Sequence, residues 1–152
     1  MPSRSDISSD ASATRLTIAS DPTAVRDALV FLASRPPLCD LSEAERGNAE
    51  LVLAEALNNV VEHAYAMTSG MIEVTVNSGA AGIICWIEDR GSAMPERKLP
   101  AGNLPKCMET ATDGLPEGGF GWFLIRTLTL DLTYERIGSR NRLSFILPPA
   151  AD

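Results

Sequence analysis

Residues 71–77, Met-Ile-Glu-Val-Thr-Val-Asn, set apolar Ile72, Val74 and Val76 against polar Glu73, Thr75 and Asn77. That period of two predicts a strand with one buried face. After the turn residues Gly79-Ala80-Ala81-Gly82, the nearly unbroken apolar run Gly82 to Asp89 predicts a second strand, central in its sheet. Thr14 to Ala19 (TRLTIA) reads as a short first strand. Ser20-Asp21-Pro22 then supplies a cap and a first-turn proline for a helix to about Ala33, and Pro36-Pro37 closes that region. Ser42 and Glu45 have the spacing of a capping box and open the longest helical stretch, to about Ala66, before the breaker Gly70. Near the C-terminus Gly121 to Leu130 predicts a helix. Two strands follow, Leu132 to Ile137 and Arg142 to Leu147, joined by a turn at Gly138-Ser139-Arg140-Asn141. Strands and helices grouped in this way predict an α+β two-layer sandwich: a mixed, mainly antiparallel sheet with helices on one face. Trp86, Trp122, Phe123 and Phe145 read as core residues.

Two stretches stand outside this pattern. Met1 to Ala13 is polar, offers little to bury and predicts a disordered tail, so the folded domain is expected over residues 14–148. Gly91 to Gly121 holds six of the 11 glycines and four of the 10 prolines. A connection longer than about 15 residues in a compact domain usually has a function or is a linker.

With 152 residues the chain fits one domain of roughly 100–200 residues. Its formal net charge of −7 excludes a protein built mainly to neutralise nucleic-acid phosphates. The first residues lack an apolar core segment, which predicts neither a signal peptide nor a membrane anchor and a cytoplasmic chain. One histidine and three widely spaced cysteines form no zinc or disulfide pattern.

Three features carry candidate chemistry. On the long helix Leu53, Leu57, Val60 and Ala64 form one stripe and Asn48, Glu55, Asn59 and Glu62 the opposite one. Glu55 and Asn59, four apart, project together: a carboxylate can accept a proton and an amide oxygen suits magnesium, although a solvated helix face has the same spacing. Asp89 ends an apolar strand, where it either starts a turn or accepts hydrogen bonds from an amino group. Glu117-Gly118-Gly119-Phe120-Gly121 runs directly into a helix, as a hinge or as a place where backbone N–H groups meet an anion. The pattern matches neither the dinucleotide fingerprint nor the Walker loop.

Glu55 to Tyr65 (EALNNVVEHAY), Asp89 to Gly91 (DRG) with Met94-Pro95, and Gly118 to Ile125 (GGFGWFLI) occur in that order. Together they resemble the histidine-kinase-like ATPases, and within them the anti-sigma-factor serine-protein kinases of bacterial partner-switching systems. The resemblance spans about Thr14 to Leu147 and implies an ATP- and Mg²⁺-dependent fold of the Bergerat type. It implies that Glu55 is the catalytic base and that Asn59 holds Mg²⁺ against the ATP phosphates. Asp89 would bond the adenine amino group and Gly91 would lie beneath the base. Gly118, Gly119, Phe120 and Gly121 would form the phosphate loop under a lid at about 93–118, with Asn141 near the base. His63, Lys98 and Lys106 are candidates for the phosphate side, the two lysines being the only ones in the chain. Ala93 replaces a glycine usual in the family and Met94 an aromatic, which leaves strain at Ala93 as one expectation. The implied partners are a small anti-sigma-factor antagonist bearing the phosphoacceptor serine, a sigma factor or similar regulator, and a second copy in a homodimer. Nucleic acid and membrane are not implied. The alternative is a non-catalytic, nucleotide-binding sequestering module of the same fold.

Overall fold

The computed structural model describes residues 13–101 and 119–149. The tail before residue 13, Gly118, Lys106 and the expected lid from 102 to 118 lie outside the described residues.

Strands β1 (Thr14–Ala19), β2 (Met71–Gly79), β3 (Gly82–Asp89), β4 (Leu130–Ile137) and β5 (Arg140–Leu147) form one sheet in the order β1-β2-β3-β5-β4. Every described pair is antiparallel, so the sheet is not mixed. The apolar run of β3 is central, as its composition predicts. Helices α1 (Pro22–Ala33), α2 (Glu43–Asn59) and α3 (Gly119–Leu128) pack on one face.

Alternation sets that face. Ile72, Val74 and Val76 of β2, Ile83, Cys85 and Ile87 of β3, and Leu143, Phe145 and Leu147 of β5 are buried with Val25, Leu32, Val52, Leu53, Leu57 and Ile125 from the helices. This is an α+β two-layer sandwich. Trp86 belongs to the other face and is only half-buried, beside Glu88, which pairs with Arg140 at 3.3 Å and Arg142 at 3.2 Å. It is therefore not a core residue; Phe123 is half-buried as well.

The helix ends follow local chemistry. Asp21 caps α1 by accepting from the Ala24 N–H at 2.8 Å. Ser42 and Glu45 make the reciprocal capping box of α2 at 3.2 Å each way. Past Asn59 the helix widens into a π turn, Val60–Ala64, closed by the Tyr65 N–H on the Val60 carbonyl at 3.1 Å. The helical stretch thus ends at Ala64, two residues before the expected Ala66. The hairpin of β4 and β5 turns on Gly138 and Ser139 alone, with Gly138 at φ 59°. Arg140 and Asn141 belong to β5 and not to the turn. Helix α3 starts at Gly119, two residues earlier than the apolar pattern predicts, and ends at Leu128. No described helix is long and apolar enough to cross a membrane.

Candidate functional site

The strand register places three polar residues in one lateral row. Asp89 ends β3 opposite Asn141 of β5, which is in turn opposite Arg136 of β4. Asp89 shares the inward face of Ile83, Cys85 and Ile87, so its carboxylate points into the helix layer and is 6% exposed. Its Oδ1 accepts from the Gly91 N–H at 2.8 Å and from Asn141 Nδ2 at 2.7 Å. Oδ2 has no partner among the described residues. Burial raises the Asp89 pKa above the usual carboxylate range, against the opposing pull of the Asn141 and Gly91 hydrogen bonds and the Arg136 charge.

Gly91 is required by close approach. A β-carbon there would lie 2.3 Å from the Ala64 carbonyl oxygen, which also accepts from the Ser92 N–H at 2.8 Å. The chain after β3 is thus seated on the open end of the π turn, whose carbonyls lack helical partners. Gly91 lies beneath that seat and is not among the residues lining the adjoining cavity. Ala93 has no positive φ; among described non-glycine residues positive values occur at Glu96, Arg97 and Asp131. The expected strain at Ala93 is therefore absent.

A cavity of about 500 Å³ opens beside this row. Ala56, Val60, Met94, Trp122 and Leu143 give it apolar walls, and Asp89, Asn141, Tyr134, Asn59 and His63 supply polar atoms. A largely apolar pocket of a few hundred Å³ with few polar groups has the size and make-up of a small-molecule site. Ala93 also lines it. Lys98 is exposed and is not among its walls. A second hollow of about 290 Å³, by the N-terminal half of α2, is walled by Ala49, Ile83, Leu128 and Leu147 and has Glu45 as its titratable group.

Asn59 also lines the larger cavity. The helical pattern places it on a solvated stripe, but α3 covers that face and leaves Asn59 7% exposed. Its Nδ2 is buried without a hydrogen-bond partner among the described residues. Such an orphaned group costs about 1–3 kcal/mol and calls for a ligand. Glu55, one turn earlier, is half-buried, and a β-carbon at Gly121 would lie 2.8 Å from its Oε2 and 3.5 Å from Asn59 Nδ2. Glu55, Asn59 and Gly121 therefore meet, as the spacing of the first two predicts. Gly119, Phe120 and Gly121 form the first turn of α3, whose N–H groups have no acceptor within the helix and favour an anion. Among the described residues no three His, Cys, Asp or Glu cluster around a metal position. The Asn59 amide oxygen fits Mg²⁺, which usually takes one or two protein ligands and completes its shell with water and phosphate oxygens.

Four contributors escape the motif-based reading. Tyr134 and Arg136 alternate with Leu132 on the inward face of β4, and polar side chains on that face are the signal for them. Tyr65 donates to the Met71 carbonyl and accepts from the Arg90 N–H, each at 2.9 Å. Arg126 donates to the Pro100 carbonyl through Nε at 3.0 Å and Nη2 at 2.7 Å, tying the stretch after Met94 to α3.

Comparison with known proteins adds three findings. Residues 18–147 match a family described as the histidine kinase-like ATPase domain. The serine-protein kinase RsbW of Oceanobacillus iheyensis is 34% identical over 84 residues, or 55% of this chain and 53% of that protein. The chain thus spans about half the length of that curated relative. The histidine kinase domain of the blue-light activated histidine kinase EL346 from Erythrobacter litoralis aligns with a TM-score of 0.45 and 21% identity, covering 68% of this chain and 44% of that one.

Proposed function

The chain belongs to the histidine kinase-like ATPase domain family, and on that premise we propose that it is an ATP- and Mg²⁺-dependent protein-serine kinase. Its acceptor is a serine of a small anti-sigma-factor antagonist. In its other state it sequesters a sigma factor or similar regulator in the cytoplasm, alone or as a homodimer. Similarity to a serine-protein kinase over about half of each chain supports the kinase class. The observation that carries the reading is the set of polar groups lining the cavity: a buried carboxylate, Asp89, with one oxygen lacking a partner among the described residues, and the Asn59 amide, whose Nδ2 also lacks one there, beside Glu55 and Gly121.

Asp89 Oδ2 accepts from the exocyclic amino group of the base, while Met94, Val60 and Leu143 provide apolar surface for the ring. Asn59 would hold Mg²⁺ against the phosphates through Oδ1, and its Nδ2, a donor without an acceptor among the described residues, would donate to a phosphate oxygen. Bound Mg²⁺ supplies positive charge to the triphosphate in a protein of net charge −7. The N–H groups of Gly119, Phe120 and Gly121 would meet phosphate oxygens. His63, which lines the cavity, and the exposed Lys98 are candidates for the phosphate side. Glu55 would orient the serine hydroxyl and take its proton as the oxygen attacks the γ-phosphorus in line, the bond from that phosphorus to the β,γ-bridging oxygen breaking and ADP leaving.

The test is calorimetric titration with ATP and Mg²⁺, followed by transfer of labelled γ-phosphate to a small serine-bearing protein encoded beside this one. Binding and transfer to a single serine are expected. Binding without transfer to any such protein would favour the sequestering module, and no binding at millimolar nucleotide would overturn the reading.

A further inference from the structure

Asn141 stands where a base contact is expected, yet its hydrogen-bonding capacity is spent inside the protein. Nδ2 donates to Asp89 Oδ1 at 2.7 Å and to the carbonyls of Ser92 and Gly91 at 2.9 and 3.3 Å. Oδ1 accepts from the Tyr134 hydroxyl at 2.5 Å and from Arg136 Nη1 at 3.1 Å. A carboxamide has two donor hydrogens and two acceptor lone pairs, and all are engaged. We propose that Asn141, held by Tyr134 and Arg136, is a positioning residue that sets base selectivity through Asp89 without touching the base. The inference rests on the nucleotide reading above.

The chemistry of the neighbours dictates which way the amide points. Arg136 has only donors, and its Nη1 also holds the Gly91 carbonyl at 2.7 Å. The Tyr134 oxygen accepts from the Met94 N–H at 2.9 Å, which leaves its single proton for Asn141. The amide oxygen must therefore face β4. Turned over, its NH₂ would meet the guanidinium and its oxygen would meet the Asp89 carboxylate, donor against donor and acceptor against acceptor. Tyr134 and Arg136 thus determine that an N–H group reaches Asp89.

Asp89 Oδ1 is then filled by Asn141 and the Gly91 N–H, and Oδ2, without a partner among the described residues, is the acceptor this cavity-lining carboxylate has left for a ligand. A purine with an amino group at that edge satisfies it; one with a carbonyl oxygen there sets two acceptors against each other. The same network fixes the Gly91 and Ser92 carbonyls and the Met94 N–H, so it also shapes the cavity wall.

The experiment titrates the full chain and its Tyr134→Phe, Arg136→Met and Arg136→Lys variants with the Mg²⁺ complexes of ATP and GTP, alongside thermal unfolding. Tyr134→Phe keeps the ring and loses only the hydroxyl. The expected result is a clear preference for ATP in the unsubstituted chain and an ATP affinity about tenfold lower in Tyr134→Phe and Arg136→Met, the size of one lost hydrogen bond. GTP affinity changes less, so the ratio narrows, and Arg136→Lys restores part of it. A general loss of packing would weaken ATP and GTP alike. An unchanged ATP-to-GTP ratio in folded Tyr134→Phe and Arg136→Met overturns the positioning role while the nucleotide reading stands. Failure of the unsubstituted chain to bind ATP overturns both.

Discussion

Gly121 and Glu55 share one space: a β-carbon on the glycine would lie 2.8 Å from the carboxylate oxygen Oε2. The start of α3 is thereby brought against the C-terminal part of α2, and whatever binds at the helix N-terminus is within reach of the acid. Asn59 Nδ2, 3.5 Å from the same point, completes the group.

Gly121→Ala therefore separates folding from chemistry. The new methyl displaces the mobile end of Glu55 rather than backbone, and alanine in a helix is favoured over glycine by about 0.5–1 kcal/mol. Thermal stability is expected to hold or rise while phosphoryl transfer falls. Parallel loss of both would show that the contact is structural.

Glu55→Gln keeps shape and removes the base. Transfer to the acceptor serine should fall by about 10²–10⁴-fold, the usual contribution of a positioned general base. Calorimetric ATP affinity should stay within a few-fold. Full transfer activity would take Glu55 out of the mechanism.

Gly91→Ala meets backbone. Its β-carbon would sit 2.3 Å from the Ala64 carbonyl oxygen, so the strand end and the π turn must separate. The expected cost is about 1–3 kcal/mol, read by chemical denaturation, together with weaker ATP binding.

Asp89 makes stability depend on pH in a defined sense. Burial holds its pKa above the ordinary 3.8, so the folded chain binds the proton more tightly than the unfolded chain. Its contribution to stability therefore falls as pH rises through the carboxylate range towards the raised pKa, and is level above it. Asp89→Asn abolishes that term: its stability relative to the unsubstituted chain should increase over this window, while ATP binding is lost. Denaturation curves at a series of pH values check the slope, and a difference that shrinks as pH rises would contradict the burial of the charge.

Ser42→Ala removes one side of the capping box. A loss of about 1 kcal/mol is expected in chemical denaturation, with ATP binding unchanged because Ser42 is at the other end of α2 from the cavity.

Much of the fold was legible locally. The bounds of β1, β3 and α1, the capping box of α2 and the inward residues of β2 follow from alternation and capping chemistry, which act between near neighbours. The less legible features involve contacts distant in sequence. Asn59 reads as solvent-facing on a helical wheel because the wheel does not contain α3. Asn141 reads as part of a turn because three turn-forming residues, Gly138, Ser139 and Asn141, occur within four positions, whereas the hairpin needs only Gly138 and Ser139. The irregular pairing between Leu130 and Thr133 begins β4 earlier than the apolar pattern does.

The candidate site divides in the same way. The sequence alone determined that Glu55 and Asn59 lie on one side of a helix, that an acid ends the central strand and that a glycine run opens α3. Only the tertiary structure decided that Asp89, Asn141 and Arg136 stand in one row, and that one oxygen of Asp89 is spent while the other has no partner among the described residues. That row depends on the register of three antiparallel strands, which is set by burying a whole face of the sheet at once and not by any residue's neighbours in the chain.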